Sequence, residues 1–262
     1  MKTIDDYLNS GIVDIAPLLS LVLEKNNAQL MIDGKQSLST AQQEQLDQLI
    51  SKRQSGMPFA YLSGEKGFYH LDFTVTPDTL IPRPETELLI DIALTLPLSD
   101  KAKIVDLGTG SGVIAITLAD KKPDWQVCAI DASVAALAVA QQNTTRAIEF
   151  LHGSWFEPLG MRQFDLIVSN PPYVRENDPH LEQLTHEPIS ALTSGVNGLD
   201  DIREIINQAP AHLNPGGYLL LEHGYDQQLE IVDLLKENFQ KIEAFKDYNS
   251  QNRAVLAQIK PN

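Results

Sequence analysis

"VDLGTGSG", residues 105–112, joins a strand-forming run (KIVDL, 103–107) to a helix-forming one (SGVIAITLADK, 111–121). Glycine at 108, 110 and 112 lets the backbone take left-handed angles and approach a ligand closely, beside a helix N-terminus. A dinucleotide loop wants G-x-G-x-x-G, but position 113 is valine, so the third glycine is out of phase. No G-K-[S/T] follows, which removes the triphosphate-cradling loop as well.

Outward from this loop the chain keeps one rhythm. Strand-like WQVCAID (125–131), AIEFL (147–151), FDLIVSN (164–170) and GYLLLEHG (217–224) alternate with helix-like SVAALAVAQQN, LDDIREIINQAPAHL and DQQLEIVDLLKENF, and terminal strands lie near 241–247 and 253–259. Strands alternating with helices imply an α/β fold with a mainly parallel sheet covered on both faces. Upstream the pattern differs. Residues 1–56 read as short helices, with Asp14 capping the second and Ser39 or Thr40 capping AQQEQLDQLISKRQSG, and hold little core of their own. Residues 57–82, with GFYHLDFTVTP, read as a β-hairpin linker, and 83–262 as the main domain, opened by a helix at Pro84.

Composition narrows the class. A hydrophobic share of 43% allows a sizeable core, and the formal charge of −15, with no Lys/Arg-rich stretch, argues against direct binding of DNA. Cys128 is the one cysteine and sits in the apolar run VCAI, so it reads as a buried thiol in a reducing compartment. IVDIAPLLSLVL is too short to span a membrane and is broken by Asp14 and Pro17; with no signal-like start, the expectation is a cytoplasmic protein without membrane association.

Two further features carry chemistry. Asp131 ends the second strand of the sheet, where a carboxylate can accept from both hydroxyls of a ribose, or else cap the next helix. Asn170-Pro171-Pro172-Tyr173 follows the fourth strand, at the edge where open α/β sheets bind ligands. The prolines stiffen the turn and bring no N–H, so the elbow offers carbonyl oxygens and the Asn170 side chain as acceptors, with the Tyr173 ring expected to lie flat beside them. Such a site suits a planar NH2 group, whose nitrogen becomes positive as it accepts a methyl group. No nucleophile–base pair or metal cluster is evident near it.

The loop VDLGTGSG, with Asp106 two residues ahead of Gly108, resembles the S-adenosylmethionine (SAM) loop of class I methyltransferases. The Asn-Pro-Pro-Tyr elbow is shared by methyltransferases of adenine N6 and of protein glutamine. From about Gln54 to Arg253, through QSGMPFAYLSGEKGFYHLDFTVTPDTLIPRPETELLI, EPISALTSGVNGLDDIREI and LNPGGYLLLEHGYDQ, the chain resembles the release-factor glutamine methyltransferase family.

That resemblance implies a Rossmann-like, mainly parallel seven-stranded sheet and a small N-terminal helical domain that binds the partner. It implies SAM-dependent N5-methylation of the glutamine in the Gly-Gly-Gln motif of class 1 peptide chain release factors, with S-adenosyl-L-homocysteine as product. By position, Gly108, Thr109, Gly110, Ser111 and Gly112 would line the cofactor, Asp131 hold its ribose and Trp155 lie by its adenine. Asn170, Pro171, Pro172 and Tyr173 would hold the substrate glutamine and form the catalytic elbow, with Asn170 also near the methyl donor.

Arg83, Glu85 and Glu187 either shape the pocket or form an ordinary salt bridge or cap. Ser154 stands where the family usually has an acid, and Ser250 and Asn252 where glycine and aspartate are common; the tail carrying them, with Asp247 and Arg253, is expected only to close the sheet. Alternative readings are a ribosomal-protein glutamine methyltransferase, an adenine N6-methyltransferase, and a SAM-binding module without activity.

Overall fold

The computed structural model describes residues 2–260, which divide into two compact units between Glu65 and Lys66. The first unit holds α1 (Ile4–Leu8), α2 (Ile15–Leu23), α3 (Asn27–Ile32), α4 (Thr40–Gln54) and α5 (Phe59–Ser63). Helices this short do not persist alone in water and depend on caps and packing. Thr3 with Asp6, Asn26 with Gln29 and Ser39 with Gln42 form reciprocal capping boxes at α1, α3 and α4.

Three expectations change here. Asp14 occupies the N-cap position of α2 but has left-handed angles (φ 58°) and makes no capping bond; its carboxylate accepts instead from Arg53 Nε at 2.6 Å. A capping side chain needs an extended backbone to reach the free N–H groups, and left-handed angles turn it away. The unit also has a core of its own, in which Ile4, Leu18, Leu19, Leu30 and Leu46 are buried together. Its packing extends through α5, past the Gly56 boundary read from sequence.

A strand pair follows, β1 (Glu65–Phe68) and β2 (Leu71–Thr74). A 3-10 turn at Pro84–Thr86 then runs into α6 (Glu87–Thr95). Beyond it come β3 (Lys103–Leu107), α7 (Val113–Lys121), β4 (Gln126–Asp131), α8 (Val134–Gln142), β5 (Glu149–His152) and β6 (Phe164–Ser169). The chain finishes with α9 (Asp200–Gln208), β7 (Leu213–Glu222), α10 (Gln228–Leu235), β8 (Phe239–Lys246) and β9 (Asn252–Ile259).

The seven-stranded sheet has the order β5-β4-β3-β6-β7-β9-β8, with β9 antiparallel to both its neighbours. Both faces are covered, which is why the strands read as continuous apolar runs rather than alternating ones. Ile104, Leu166, Val168 and Leu220 pack with α6 and α7 on one face. Val105, Leu107, Ile167 and Leu221 pack with α9 and α10 on the other.

Strand order positions the site. The chain moves outward from β3 through β4 to β5, then returns to the other flank of β3 with β6. At such a reversal the loops leaving two adjacent strands diverge, and a crevice opens at their carboxyl ends. Leu107 and Ser169 are register partners there, and the buried Ser169 hydroxyl donates to the Leu107 carbonyl oxygen at 2.7 Å. Gly108 and Asn170 are therefore the next residues on either side of one tied pair.

Candidate active site

A cleft of ≈ 550 Å³ lies at this reversal, within the usual range for a small-molecule site. Gly108, Gly110 and Gly112 all hold left-handed angles (φ 70°, 57° and 87°). A Cβ at Gly108 would meet the Trp155 ring at 3.2 Å, so that glycine lets the ring close over the loop. Trp155, Ser154 and all five loop residues line the cleft, apart from Gly112, whose role is to start α7 against Ile116 and Ala140.

Most of the loop's N–H groups are already engaged. Thr109 donates to the Ile130 carbonyl at 2.9 Å, Gly112 to the Thr109 carbonyl at 2.8 Å, and Gly110 to Asp131 Oδ2 at 2.8 Å. Beneath it the fully buried Asp106 accepts from Thr109 Oγ1 at 2.6 Å and Ala115 N at 3.2 Å. Burial pushes Asp106 up to about 7, against the pull of those two donors. The loop is thus braced from below and offers close approach rather than an array of free donors for phosphate.

Asp131 does not cap α8. Its Oδ1 accepts from Ser133 N at 2.8 Å, and Ser133 caps the helix by accepting from Ala136 N at 3.2 Å. Burial raises the Asp131 pKa, with the Ser133 and Gly110 N–H groups opposing. Asp78, Asp131 and Asp201 all line the cleft, while Arg83, the one Lys or Arg among the described residues that line it, is paired with Glu187. The balance favours a cationic ligand over a polyphosphate.

Asn170 and Pro172 also line the cleft; Pro171 is buried beside them and Tyr173 does not reach its wall. The expected flat face is absent because the partly buried Tyr173 ring packs against the hydrophobic cluster on this face of the sheet, and its hydroxyl donates to Glu222 Oε1 at 3.2 Å. Burial, then the Glu222 charge, hold that phenol well above its ordinary pKa. The segment 192–194 clamps the elbow: Tyr173 and Val174 donate to the Leu192 carbonyl at 3.2 and 2.8 Å, and Ser194 to the Val174 carbonyl at 3.0 Å. Gln227 Nε2 takes the Tyr173 carbonyl at 3.0 Å. Pro171 and Pro172 have no N–H of their own, so the elbow adds no backbone donor at either position.

Sequence reasoning missed several neighbours. Asn170 Nδ2 donates to Thr86 Oγ1 at 3.0 Å, and Thr86 is buried at the head of α6. Glu222, at the end of β7, is 1% exposed and faces Thr86, Tyr173 and Arg253. Arg253 Nε in turn donates to Asp247 Oδ2 at 3.1 Å, so the C-terminal tail does more than close the sheet. Ser250 holds φ 63°, a left-handed position that a glycine would occupy without strain. Glu187 is pinned as an ion-pair partner of Arg83 and accepts from Ile81 N at 3.0 Å; Glu85 stays half-exposed and acts on Glu222 only by charge.

Comparison with known proteins agrees with this architecture. Residues 84–195 match the methyltransferase small domain and residues 7–64 the PrmC N-terminal domain. A methyltransferase from Pyrococcus furiosus superposes with a TM-score of 0.58 at 20% identity, covering 81% of this chain and 100% of that one. At that identity the likeness shows the fold, a class I methyltransferase sheet. Release factor glutamine methyltransferases are closer in sequence. The Coxiella burnetii protein is 42% identical over 94% of this chain and 91% of its own length, and the Xylella fastidiosa (strain Temecula1) protein 46% identical over 85% and 84%. A third, from Vibrio cholerae, is 42% identical over 96% of this chain and 91% of its own. At 42–46% identity over 85–96% of its length, the chain belongs to the release factor glutamine methyltransferase family.

Proposed function

We propose that this protein uses SAM to methylate N5 of the glutamine in the Gly-Gly-Gln motif of class 1 peptide chain release factors, and that it does so in the cytoplasm. The observation that carries the chemistry is the Leu107–Ser169 tie, which sets a ligand-approaching glycine loop and an acceptor-rich elbow side by side. The choice of substrate follows from family membership.

The cleft fits SAM. Gly110 leaves open space above its Cα, the Asp131 carboxylate keeps lone pairs free for ribose hydroxyls, and the acidic lining suits a sulfonium and an ammonium group. Trp155 offers a ring and Ser154 a hydroxyl where an adenine would lie; Ser154 is a neutral group, and its N–H is held by Glu157 Oε2 at 3.1 Å. When bound, SAM supplies an electrophilic methyl group on a sulfonium sulfur.

The chain's own work is at the receiving nitrogen. A carboxamide nitrogen is a weak nucleophile because its lone pair is delocalised into the carbonyl. Asn170 Oδ1 and the Pro171 carbonyl would accept its two N–H bonds, fixing the group for in-line attack. As the nitrogen turns tetrahedral and positive, the same oxygens stabilise the charge, with no competing donor from either proline. The product nitrogen is acidic and can lose its proton to water, so no general base is required.

Incubating purified release factor with the enzyme and SAM tests this directly. Mass spectrometry should find one added methyl group on the tryptic peptide containing the motif glutamine. An unmodified peptide at saturating SAM would overturn the substrate assignment, and label appearing in DNA or RNA instead would favour adenine N6 chemistry.

A further inference from the structure

We propose that Arg83, held and neutralised by Glu187, is the donor that binds the main-chain carbonyl oxygens of the Gly-Gly-Gln segment in the cleft. The inference rests on the reading above in one respect, that a glutamine preceded by two glycines is the substrate.

An elbow made of acceptors can hold an NH2 group but not a carbonyl. Glycine has no side chain, so the residues before the glutamine present only backbone N–H and C=O groups, and their oxygens need donors. Arg83 is the one Lys or Arg among the described residues that line the cleft. Its guanidinium is a planar fork of N–H groups, and its bond to Glu187 Oε1 engages Nη2. Nη1 and Nε carry the rest of the fork. The Arg83 side chain is 35% exposed and that of Glu187 only 2%, so the pairing holds the arginine from its buried side and leaves its outer side to a ligand.

Placement and rigidity fit that role. Prolines at 82 and 84 flank Arg83, which is extended (φ −101°, ψ 140°), as the residue before a proline prefers. The Arg83 carbonyl accepts from Thr86 N at 3.1 Å, and Thr86 Oγ1 accepts from Asn170 Nδ2 at 3.0 Å, so one residue joins the arginine to the elbow. Glu187 also accepts from Ile81 N at 3.0 Å, and Pro188, Ser190 and Ala191 just beyond it line the cleft. Two cleft-lining segments therefore meet at this ion pair. A buried carboxylate paired with an arginine adds little to stability once its desolvation is counted, so the pair is better explained by what it does to ligands.

Charge decides which oxygen is bound. A cation on the reacting carboxamide oxygen would draw the nitrogen lone pair further into the carbonyl and slow the transfer. Bound to the backbone carbonyls of the glycines, it secures the substrate and leaves the nucleophile alone. Charge also accounts for the partner. An unpaired arginine would repel the sulfonium of SAM in the same cleft, whereas Glu187 cancels that charge and keeps the N–H groups in place.

The test uses full-length protein, purified release factor, SAM and S-adenosyl-L-homocysteine, whose sulfur is neutral. Arg83→Met should raise KM for release factor about tenfold, the size of one charge-assisted hydrogen bond, with kcat within about threefold of wild type. That variant strands Glu187 without its cation, so Arg83→Met/Glu187→Gln repeats the measurement with the buried charge removed and should show the same KM. Glu187→Gln alone keeps an acceptor for Ile81 N but uncovers the arginine. By calorimetry SAM should then lose about threefold or more in affinity relative to S-adenosyl-L-homocysteine, and the double variant should restore the wild-type ratio. A wild-type KM in the double variant, a kcat that falls as far as KM rises, or an unchanged affinity ratio in Glu187→Gln would each overturn the proposal. Release factor methylated by the wild type with a KM indifferent to Arg83 strikes this proposal alone; release factor left unmethylated by the wild type strikes the substrate reading and this proposal with it.

Discussion

Asp131 accepts the backbone N–H of Gly110 at 2.8 Å through one carboxylate oxygen and that of Ser133 at 2.8 Å through the other, so a single side chain holds the glycine loop to the start of α8 while facing the cleft. Asp131→Ala should therefore weaken SAM binding in two ways, by removing the ribose acceptor and by loosening the loop. Hydrogen bonds to a charged group are worth about 1.5–3 kcal/mol each, so a loss of about tenfold to a hundredfold or more is expected by calorimetry. An unchanged dissociation constant would remove Asp131 from the cofactor site.

Asn170→Ala separates chemistry from cofactor binding. The rate should fall at least about a hundredfold, the usual cost of one well-placed transition-state contact, while SAM still binds appreciably. A rate close to wild type counts against the elbow mechanism.

Gly198→Ala attacks the elbow from behind. Gly198 holds φ 70°, and a Cβ there would sit 2.3 Å from the Tyr173 carbonyl oxygen and 2.9 Å from Gln227 Nε2. Gln227 Nε2 bridges the Tyr173 and Gly198 carbonyls at 3.0 Å each, so the clash falls on the group that fixes the turn. Chemical denaturation should show a loss of about 1–3 kcal/mol, and activity per folded molecule should drop as well. Retained specific activity would mean that the elbow tolerates displacement.

Asp106 predicts a slope in stability against pH. Its folded-state pKa, about 7, lies above the ordinary carboxylate value of 3.8, so the native state binds this proton more tightly than the unfolded chain. The contribution is fully present below about 4 and is lost as pH rises through about 7. Urea midpoints measured across that window should decline less steeply in Asp106→Asn than in wild type. Glu222, also raised, keeps the slope from vanishing. Parallel curves for the two proteins would show that Asp106 is already ionised in the fold.

Features confined to one β-α-β unit were legible in the sequence. The glycine loop and Asp131 lie in consecutive elements, β3-α7-β4, and the two prolines at 171 and 172 announce the elbow by their missing donors. Thr86 and Glu222 were not legible. Thr86 meets Asn170, and Glu222 meets Tyr173, only because the fold brings together residues far apart in the chain, with β6 beside β7 in the sheet. The Tyr173 ring was misjudged for a related reason: spacing locates a side chain on the chain but not the core that will draw its ring inward. Asp14 failed as a cap because backbone angles, not residue type, aim the carboxylate.

The paired prolines have one more effect, on where the sheet stops growing. Ser169 is matched to Leu221, and one more step of zipping would bring Asn170 alongside Glu222 as another rung. Rungs need amide hydrogens, and neither residue after Asn170 has one to give. The strand β6 is thereby prevented from lengthening into the Asn-Pro-Pro-Tyr turn, and Asn170 stays a loop residue. An all-amide replacement of that pair would invite the ladder onward and draw Asn170, with the side chain it turns toward the cleft, into the sheet.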